Sequence, residues 1–544
     1  MLVGLVSNAS SAAPVEAIKA ALPICIGLAS VAYLTMKIAS NSSYGGGKTI
    51  PMASLRPGES SHDREYNEDQ DAFLQRCEEA YGSTFNILLL NKTLTVVSGP
   101  QIREIFLNDD GFSSVEAFEE LQNLIAFFNT MRKSNWDMDH KTVHALVKDQ
   151  ITPNLTLFTP RIVEQLEKNL EHELGNCPAE DGGKLIEDPL VPLHEMVASA
   201  MASVFVGPEI AKSRKVIDAF INATADFGKM LGSGKAPRAS FWDSFLKRAN
   251  FKVLNPLQIH IQTLVETSSP VILERRRQEA EAAENGIEYE RPDDILQRLL
   301  DSFDKYGFID LEDVCGHLLI LVLASVHTTT DAATAMLYYM AAFPEYMETL
   351  HKEQQDVLDA IQQEREKKRE ELKRKGESIS EELDPAHDRD LSPAAIKKMV
   401  HMDSFLRETF RFRTERLTHV HRARRTETLS NGVVIPKGHS VIINVKSAHQ
   451  SPEQGDDVME FRPWRFVGKS KAAIKAGADF LPFGIGRHAC PGRFLAIQKI
   501  KTIGVMIVSR YSKIEIQDSS KTMRALRTRM GEPTPTGLIF TSRK

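Results

Sequence analysis

Cysteine is scarce in this chain: its 544 residues include only five, and no two of them form a C-x-x-C pair. An odd number of widely spaced cysteines excludes a disulfide-stabilised scaffold and argues against a zinc ribbon. The five positions are Cys25, Cys77, Cys177, Cys315 and Cys490. Composition leaves open whether any one of them carries chemistry.

Charge of one sign is also lacking, since 67 lysines and arginines stand against 73 aspartates and glutamates, for a net charge of −6. Without a basic excess, nucleic acid is not expected to be the main partner. Hydrophobic residues make up 42% and charged residues 26% of the chain, an ordinary globular composition. This composition excludes a disordered, collagenous or multi-span membrane protein. At about 150 residues per domain, length alone predicts three or four domains.

One long uncharged run stands near the N-terminus, from Ala20 to Met36, between Lys19 and Lys37. If Lys37 snorkels, the run is just long enough to cross a bilayer, so it predicts a single transmembrane anchor over about residues 20–39. A secretory signal peptide is the rival interpretation, weakened by the late start, by Glu16 ahead of the run and by the lack of a clear A-x-A cleavage site. A buried helix of a soluble domain is the third interpretation.

Beyond the glycine-rich residues 45–47, the residue pattern is mainly helical. Amphipathic spacing predicts a helix over 160–174. A second, long helix over 311–343 is apolar on most sides, as expected of a helix that crosses the middle of a large domain. Short strand patterns over 85–97 and 441–445 predict a hairpin and a further strand. The expected fold class is mainly α with small β-sheets.

A dense run of mixed charge, EREKKREELKRKG, lies within residues 354–389. Such a run is typical of a solvated helix with i,i+4 ion pairs, and nothing in the sequence supports the alternative of a partner-docking arm. Leu391-Ser392-Pro393 then predicts the start of a helix that runs to about Phe412.

The cysteine with the most informative surroundings is Cys490, in the segment FLPFGIGRHACPGRFLA at residues 480–496. Gly484 and Gly486 permit a close backbone approach to a flat group, and a helix-like segment follows Gly492. A cysteine at a helix N-terminus has a stabilised thiolate, which serves as a nucleophile or as a metal ligand. A buried structural cysteine is the alternative, and spacing alone does not decide between them.

The stretch FGIGRHACPG resembles the haem-binding loop of the cytochrome P450 superfamily, whose pattern is F-x-x-G-x-x-x-C-x-G. The residues that fall on this pattern are Phe483, Gly486, Cys490 and Gly492. The resemblance implies the cytochrome P450 fold, with residues 1–48 as the anchor and linker and residues 49–544 as one haem-thiolate catalytic domain. It implies haem b as the cofactor, Cys490 as the axial thiolate, and His488 as a cation against a haem propionate.

Two further motifs of the family follow the expected order. Glu408 and Arg411 form an E-x-x-R on one helix face, in a context that resembles the family's K helix. The segment FRPWRF at residues 461–466 is similar to the family's F-x-P-E-R-F, with Trp464 in place of the usual acid. Arg465 is implied to complete a Glu–Arg–Arg network that fixes the region around the haem loop.

The central helix carries ASVHTT at residues 324–329, where the family has A/G-G-x-D/E-T-T. Ser325 stands where glycine is usual, and His327 stands where an acid is usual. The retained threonine is Thr328, whose implied role is to hydrogen-bond oxygen and help deliver protons. His327 either replaces the acid as a proton relay or is only a polar residue turned away from the haem.

The resemblance implies further propionate and substrate contacts. Arg422 is the expected second propionate partner, with His421 as the near alternative. Trp136 lies too far upstream of the next proline for the family's C-helix motif, so His144 and Lys148 are the better match. The implied substrate-facing positions, each with ordinary core packing as the alternative, are Ile320, Ala324, Leu417 to Val420 and Thr534-Pro535.

Electrons must come from outside the chain, because no G-x-G-x-x-G fingerprint follows a strand and opens a helix. The resemblance implies an NADPH-dependent cytochrome P450 reductase on the same membrane as the partner. Candidate basic residues for a docking face, or else ordinary solvated cations, are Arg487, Arg493, Lys499 and Lys501.

The leading hypothesis is a membrane-anchored haem-thiolate monooxygenase of fungal type. It would insert one oxygen atom from O2 into a lipophilic small molecule, such as a terpenoid or another secondary metabolite. The implied location is the endoplasmic reticulum, with the catalytic domain in the cytosol. Two alternatives stay open: a haem-thiolate isomerase or dehydratase that uses no O2, against which Thr328 argues, and a haem-binding protein without turnover.

Overall fold

The computed structural model describes residues 48–89, 91–122, 131, 141–178, 180, 182–231, 256–380, 383–413, 417–451, 454–518 and 536–543. The predicted anchor over residues 20–39 lies outside these ranges, as do Trp136 and Thr534-Pro535. These three features therefore stay sequence predictions.

Helices make up most of the described chain. Those of the N-terminal half are α1 Asp63–Glu68, α2 Gln70–Tyr81, α3 Gln101–Leu107, α4 Ser114–Gln122, α5 Lys141–Leu146, α6 Leu155–Glu173, α7 Leu190–Phe205, α8 Gly207–Ala211, α9 Arg214–Leu231, α10 Leu257–Glu284, α11 Ile295–Asp301 and α12 Phe303–Tyr306. Those that follow are α13 Leu311–Ser325, α14 His327–Ala342, α15 Met347–Lys375, α16 Pro393–Lys398, α17 Val400–Phe412, α18 Val445–His449 and α19 Arg493–Arg510. Pro160 lies inside α6 rather than at its start, so this helix begins earlier than predicted.

Three small sheets accompany the helices. The strands are β1 Thr84–Leu89, β2 Lys92–Val97, β3 Phe112–Ser113, β4 Lys184–Ile186, β5 Leu417–Ala423, β6 Glu427–Thr428, β7 Val434–Ile435, β8 Ser440–Asn444, β9 Tyr511–Ile516 and β10 Leu538–Ser542. Their orders are β1-β2-β8-β5-β3, β4-β10-β9 and β6-β7. In the largest sheet β2 and β8 are parallel and the other neighbours antiparallel. The β1–β2 hairpin and β8 confirm the strands predicted over 85–97 and near 441–445.

The long central helix predicted over 311–343 is two helices in the structure, because α13 and α14 are separated at Val326. Near this break, the hydroxyls of Thr328 and Thr330 donate to the carbonyls of Ala324 and Val326. Such bonds compete with the backbone ladder and bend helices. The hydroxyl-rich run that follows the apolar half therefore explains why the predicted single helix is interrupted.

The central helix pair lies in the largest apolar cluster of the described residues and packs against α7, α10 and α19. Within the described part of the chain it is the one stretch long and apolar enough to cross a membrane. Its apolar window is 61% buried inside the domain, however, as expected of a core helix.

The mixed-charge run forms the exposed second half of α15, which confirms the predicted solvated helix. Lys375 pairs with Glu371 one turn earlier, at 2.6 Å. Arg369 makes a two-pronged pair with Asp388, which holds the following loop back against the helix. The helix predicted from about 391 to 412 is split into α16 and α17 by Met399.

Candidate functional site

A cavity of about 420 Å³ lies where the broken central helix approaches the segment before Cys490. Its walls include His327, Thr328 and Ala332 of α14, Thr418 and His419 of β5, Phe483, and Ala496 of α19. Although α13 and α14 are otherwise core helices, Ala324, His327 and Thr328 are exposed. Exposed side chains in the middle of a core helix mark a void, and a void beside the cysteine loop is what a bound haem requires.

The segment before Cys490 is a tight loop held by its own backbone. Cys490 donates its N–H to the Phe483 carbonyl at 2.8 Å. Gly484 and Gly486 have φ angles of +62° and +76°, in the left-handed region that favours glycine. A Cβ on Gly486 would lie 2.9 Å from the Phe106 carbonyl oxygen, so the close approach of α3 also requires glycine there.

The Cys490 thiol lies at the start of α19, with Gly492 as the N-cap residue. Burial raises the pKa of the Cys490 thiol, while the backbone N–H groups of Gly492 and Arg493 and the Arg493 charge oppose that shift. By contrast, burial raises the pKa of Cys77 to about 11 and that of Cys315 to about 12. A half-buried thiol with amide donors suits a metal-bound thiolate, because a coordinating cation removes the remaining proton.

The structure brings the three residues of the predicted Glu–Arg–Arg network together. Arg411 pairs with Glu408 through Nε–Oε2 and Nη2–Oε1 contacts of 2.7 and 2.8 Å, and Arg465 Nε lies 3.1 Å from the same Oε1. The side chains of Glu408 and Arg411 are fully buried. Arg411 also donates to the carbonyls of His449 and Val458. The network thus fastens α17 to the long loop that follows α18.

The buried His449 connects this network to the cysteine loop, and the half-buried His419 of β5 holds the same loop. His449 donates from Nδ1 to the Arg411 carbonyl at 3.2 Å and accepts at Nε2 from the Leu481 N–H at 2.9 Å. His419 Nε2 donates to the Leu481 carbonyl at 2.9 Å. His419 has φ +52°, at the irregularity where the register of β5 and β8 shifts. Sequence reasoning missed His449, because nothing in its local pattern sets this histidine apart.

The stability of the described fold is expected to fall as the pH drops below about 6.5. Burial lowers the pKa of His449 to about 3 and that of His421 to about 4. A histidine with a depressed folded pKa stabilises the fold above its unfolded pKa of ~6.5 and loses that contribution as the pH falls toward the folded value. The loss is up to about 1.4 kcal/mol per pH unit for each histidine.

Urea unfolding at pH 7.5, 6.5, 5.5 and 4.5 measures this dependence. His449→Gln removes one titrating group and is expected to make the stability less steep in pH, whereas the exposed His172 offers a control position for His172→Gln. An equal slope for all three proteins would contradict the expectation.

The cavity side of the central break carries Thr328 and His327. Thr328 Oγ1 donates to the Ala324 carbonyl at 2.8 Å. The His327 ring lies 6.3 Å, centroid to centroid, from the ring of His194 on α7, and His194 Nε2 lies 3.3 Å from Thr224 Oγ1 on α9. Burial, and then the neighbouring His327, lower the pKa of His194. Sequence reasoning missed His194, because only tertiary packing brings these helices together.

The predicted propionate partners lie on different elements. Arg422 forms an ion pair with Glu120. His488 Nε2 lies 3.9 Å from Asp109, and the charge of His488 contributes, after burial, to the lowered pKa of His421. The structure therefore brings His488 close to His421, the alternative partner, and it pairs Arg422 with an acid.

The remaining predicted contacts are spread over the fold. His144 is half-buried in the last turn of α5, and Lys148 is exposed. Ile320 belongs to the main core cluster, while Leu417 and Val420 pack with the cluster beside the five-stranded sheet. Thr418 and His419, between these two, line the cavity instead, because the β5 register is irregular here and His419 has a positive φ.

The expectation that Lys499 and Lys501 belong to a basic surface is wrong. They are only 1% and 4% exposed, because α19 is buried on most of its sides. Lys501 Nζ lies 3.2 Å from Asp403 of α17. Of the other two cations named for that face, Arg487 is exposed and Arg493 is half-buried.

Comparison with known proteins relates the chain to fungal enzymes. Residues 61–538 match the family model described as Cytochrome P450. Cytochrome P450 monooxygenase 151 of Postia placenta is 24% identical over 467 residues, which cover 83% of this chain and 84% of that protein. AtmP of Aspergillus flavus is 27% identical over 432 residues (77% and 74%), and paxP of Penicillium paxilli is 28% identical over 372 residues (67% and 64%).

A mainly helical domain that keeps a half-buried thiol beside a cavity is the kind of protein that binds haem iron through sulfur. The family match over most of the length makes the assignment definite: the chain belongs to the cytochrome P450 family and is a monooxygenase of that family. The cofactor of this family is iron protoporphyrin IX with a cysteine thiolate as ligand.

Proposed function

We propose that this monooxygenase inserts one oxygen atom from O2 into a lipophilic small molecule, with two electrons from an NADPH-dependent flavoprotein reductase. The other oxygen atom leaves as water. The observation that carries the proposal is the position of the cavity. One of its walls continues into the Cys490 loop, and another is formed by the start of α14, where the helix break exposes Thr328. Apolar residues such as Phe410, Val445 and Ile500 form part of its lining, beside the charged Asp331 and Arg413, and this apolar part favours a lipophilic substrate.

In this proposal the Cys490 thiolate would hold the haem iron. The residues that let the loop approach the porphyrin are Phe483, Gly486 and Gly492. The cations proposed for the propionates are His488, Arg422, His144 and Lys148. When bound, the haem supplies the activation of O2 and the oxidation chemistry, to which the thiolate contributes electron density. The network of Glu408, Arg411 and Arg465 holds the Cys490 loop in its position.

The protein's own residues handle the protons. Thr328 presents its hydroxyl at the cavity wall while donating to the Ala324 carbonyl. His327 stands next to it, and His194 stands next to His327. Imidazole accepts and donates protons at its two ring nitrogens. We therefore assign proton delivery to His194, His327 and Thr328, in that order from α7 toward the cavity.

The proposed substrate is a terpenoid or another lipophilic secondary metabolite. The apolar part of the cavity lining and the fungal origin of the relatives support it. In the proposed arrangement, residues 1–48 anchor the catalytic domain of residues 49–544 on the cytosolic face of the endoplasmic reticulum. In this arrangement the enzyme would meet lipophilic substrates and the reductase at that membrane, with the exposed Arg487 on the side that faces the reductase.

Mass spectrometry of products formed under ¹⁸O₂ tests the proposal. Lipid-like candidates, NADPH and a flavoprotein reductase are supplied, and one ¹⁸O atom per oxidation is expected. Thr328→Ala is expected to lower product yield on the order of 100-fold, because a positioned proton donor contributes about that much. Consumption of NADPH continues in this variant, with its electrons recovered as hydrogen peroxide.

Thr334→Ala is the matched control. Thr334 lies on the same helix and also donates its hydroxyl to a carbonyl one turn earlier, but it is buried away from the break. Its product yield should stay at the wild-type level. A product that forms without O2 would replace the proposal with the isomerase or dehydratase alternative.

A further inference from the structure

Lys499 is a buried lysine behind the break in the central helix. It lies in the middle of α19 and is 1% exposed. Its Nζ lies 3.1 Å from the carbonyl oxygen of Ser325 and 3.0 Å from the sulfur of Met201 on α7. A buried ammonium group is costly unless its hydrogen bonds are made. The contacts found among the described residues are one carbonyl and one thioether, so the Ser325 carbonyl is its strong acceptor.

Ser325 is the last residue of α13, directly before the break at Val326. The end of a helix leaves carbonyl groups without amide donors from the next turn. Side chains donate to two such carbonyls here: the Thr328 hydroxyl to Ala324, and the Lys499 ammonium to Ser325. The acceptors of the two bonds are successive residues. One donor is a cavity-facing side chain, and the other is a side chain of the buried helix α19.

We propose that Lys499 is a positioning residue, whose ammonium group caps the Ser325 carbonyl and maintains the break that presents His327 and Thr328 to the cavity. The inference rests on the proton-delivery role proposed for those two residues. Because α19 starts directly after the Cys490 loop, one helix then fixes the thiol at its beginning and the central break along its length.

The charge of Lys499 changes near neutral pH. Burial lowers the pKa of Lys499 to about 7, so the ammonium form predominates below pH 7 and is lost above it. The charged or titratable groups on the elements packed against α19 include several that pair elsewhere: Asp403 with Lys501, Glu408 with Arg411, Glu171 with Arg510, Asp331 with Arg413, Glu353 with His401, Glu364 with Lys398, Lys513 with Glu515, and His194 beside His327.

Backbone hydrogen exchange of the haem-loaded, full-length protein tests the inference without turnover. Lys499→Met keeps the apolar stem and removes the ammonium group. Peptides that cover residues 320–335 are expected to exchange on the order of tenfold faster at positions 326–331, because a hydrogen bond from a charged donor is lost. Lys501→Met, on the same helix, should leave these peptides at the wild-type rate. Equal rates in wild type and Lys499→Met would overturn the proposal.

If Lys499→Met does not fold, the pH dependence of hydrogen exchange in the wild-type protein tests the proposal. After correction for intrinsic chemical rates, exchange at positions 326–331 should be severalfold faster at pH 8.5 than at pH 6.0, with a midpoint near 7. A folded Lys499→Met should show no such midpoint, which separates loss of the cap from general destabilisation. In the absence of a folded variant, a wild-type profile without pH dependence would overturn the proposal. Neither result depends on peroxide or product yields, so the proposed function is judged separately.

Discussion

In Cys490→Ala, the reduced and carbon monoxide-treated protein is expected to lose the red-shifted Soret band of thiolate ligation completely, and product formation with it. The reason is the placement of the thiol. It lies at the start of α19 with amide donors around it, beside the cavity. The absorbance difference spectrum before and after carbon monoxide gives the answer, whatever the substrate is.

Cys315→Ala is the matched control for this experiment. Cys315 is fully buried inside α13 and its thiol has a pKa raised by burial to about 12, so it should be exchangeable without loss of the band. Cys490→Ala is also expected to fold, since the bonds from Leu481 to His449 and His419 do not involve the sulfur. A red-shifted band that persists in Cys490→Ala would contradict the assignment of the axial ligand.

The sequence predicts best those parts of the site that depend on short-range spacing. Glu408 and Arg411 lie one helical turn apart, so their pairing follows from helix geometry once α17 forms. The left-handed glycines before Cys490 are likewise a local property of the backbone. These residues were identified through their resemblance to family motifs, which are recognisable in a sequence because neighbours in the chain determine the conformation of such residues.

Tertiary packing determines the features that the sequence did not predict. His194 reaches His327 only because α7 packs against α14. The break at Val326 needs hydroxyl groups that satisfy backbone carbonyls, and periodicity alone does not record that competition. Lys499 was assigned to the surface because lysine is rarely buried. Its acceptor, the Ser325 carbonyl, lies on a helix far away in the chain.

The network around Glu408 predicts the largest loss of stability from a single substitution. Glu408→Gln leaves the buried Arg411 guanidinium without its carboxylate, while Arg465 loses one of its two carboxylate partners and keeps Asp457. Removing one partner of a buried ion pair typically costs about 3–5 kcal/mol. The free energy of unfolding, measured by urea denaturation, is expected to fall by this amount, and haem retention should fall with it. Glu348→Gln is the control, because Glu348 is 74% exposed in its pair with Arg543 and such pairs contribute about 0–1 kcal/mol.

A double substitution distinguishes the charge from the packing in this network. In Glu408→Gln the Arg411 guanidinium keeps its carbonyl acceptors on His449 and Val458 but loses its counter-ion. Arg411→Met in the same chain removes that uncompensated charge, so the double variant should lose less stability than the two single losses added together. Strict additivity would mean that the carboxylate and the guanidinium act independently. Arg411 also donates to the His449 carbonyl, and His449 accepts from the Leu481 N–H. A non-additive loss of stability would therefore link α17 to the cysteine loop.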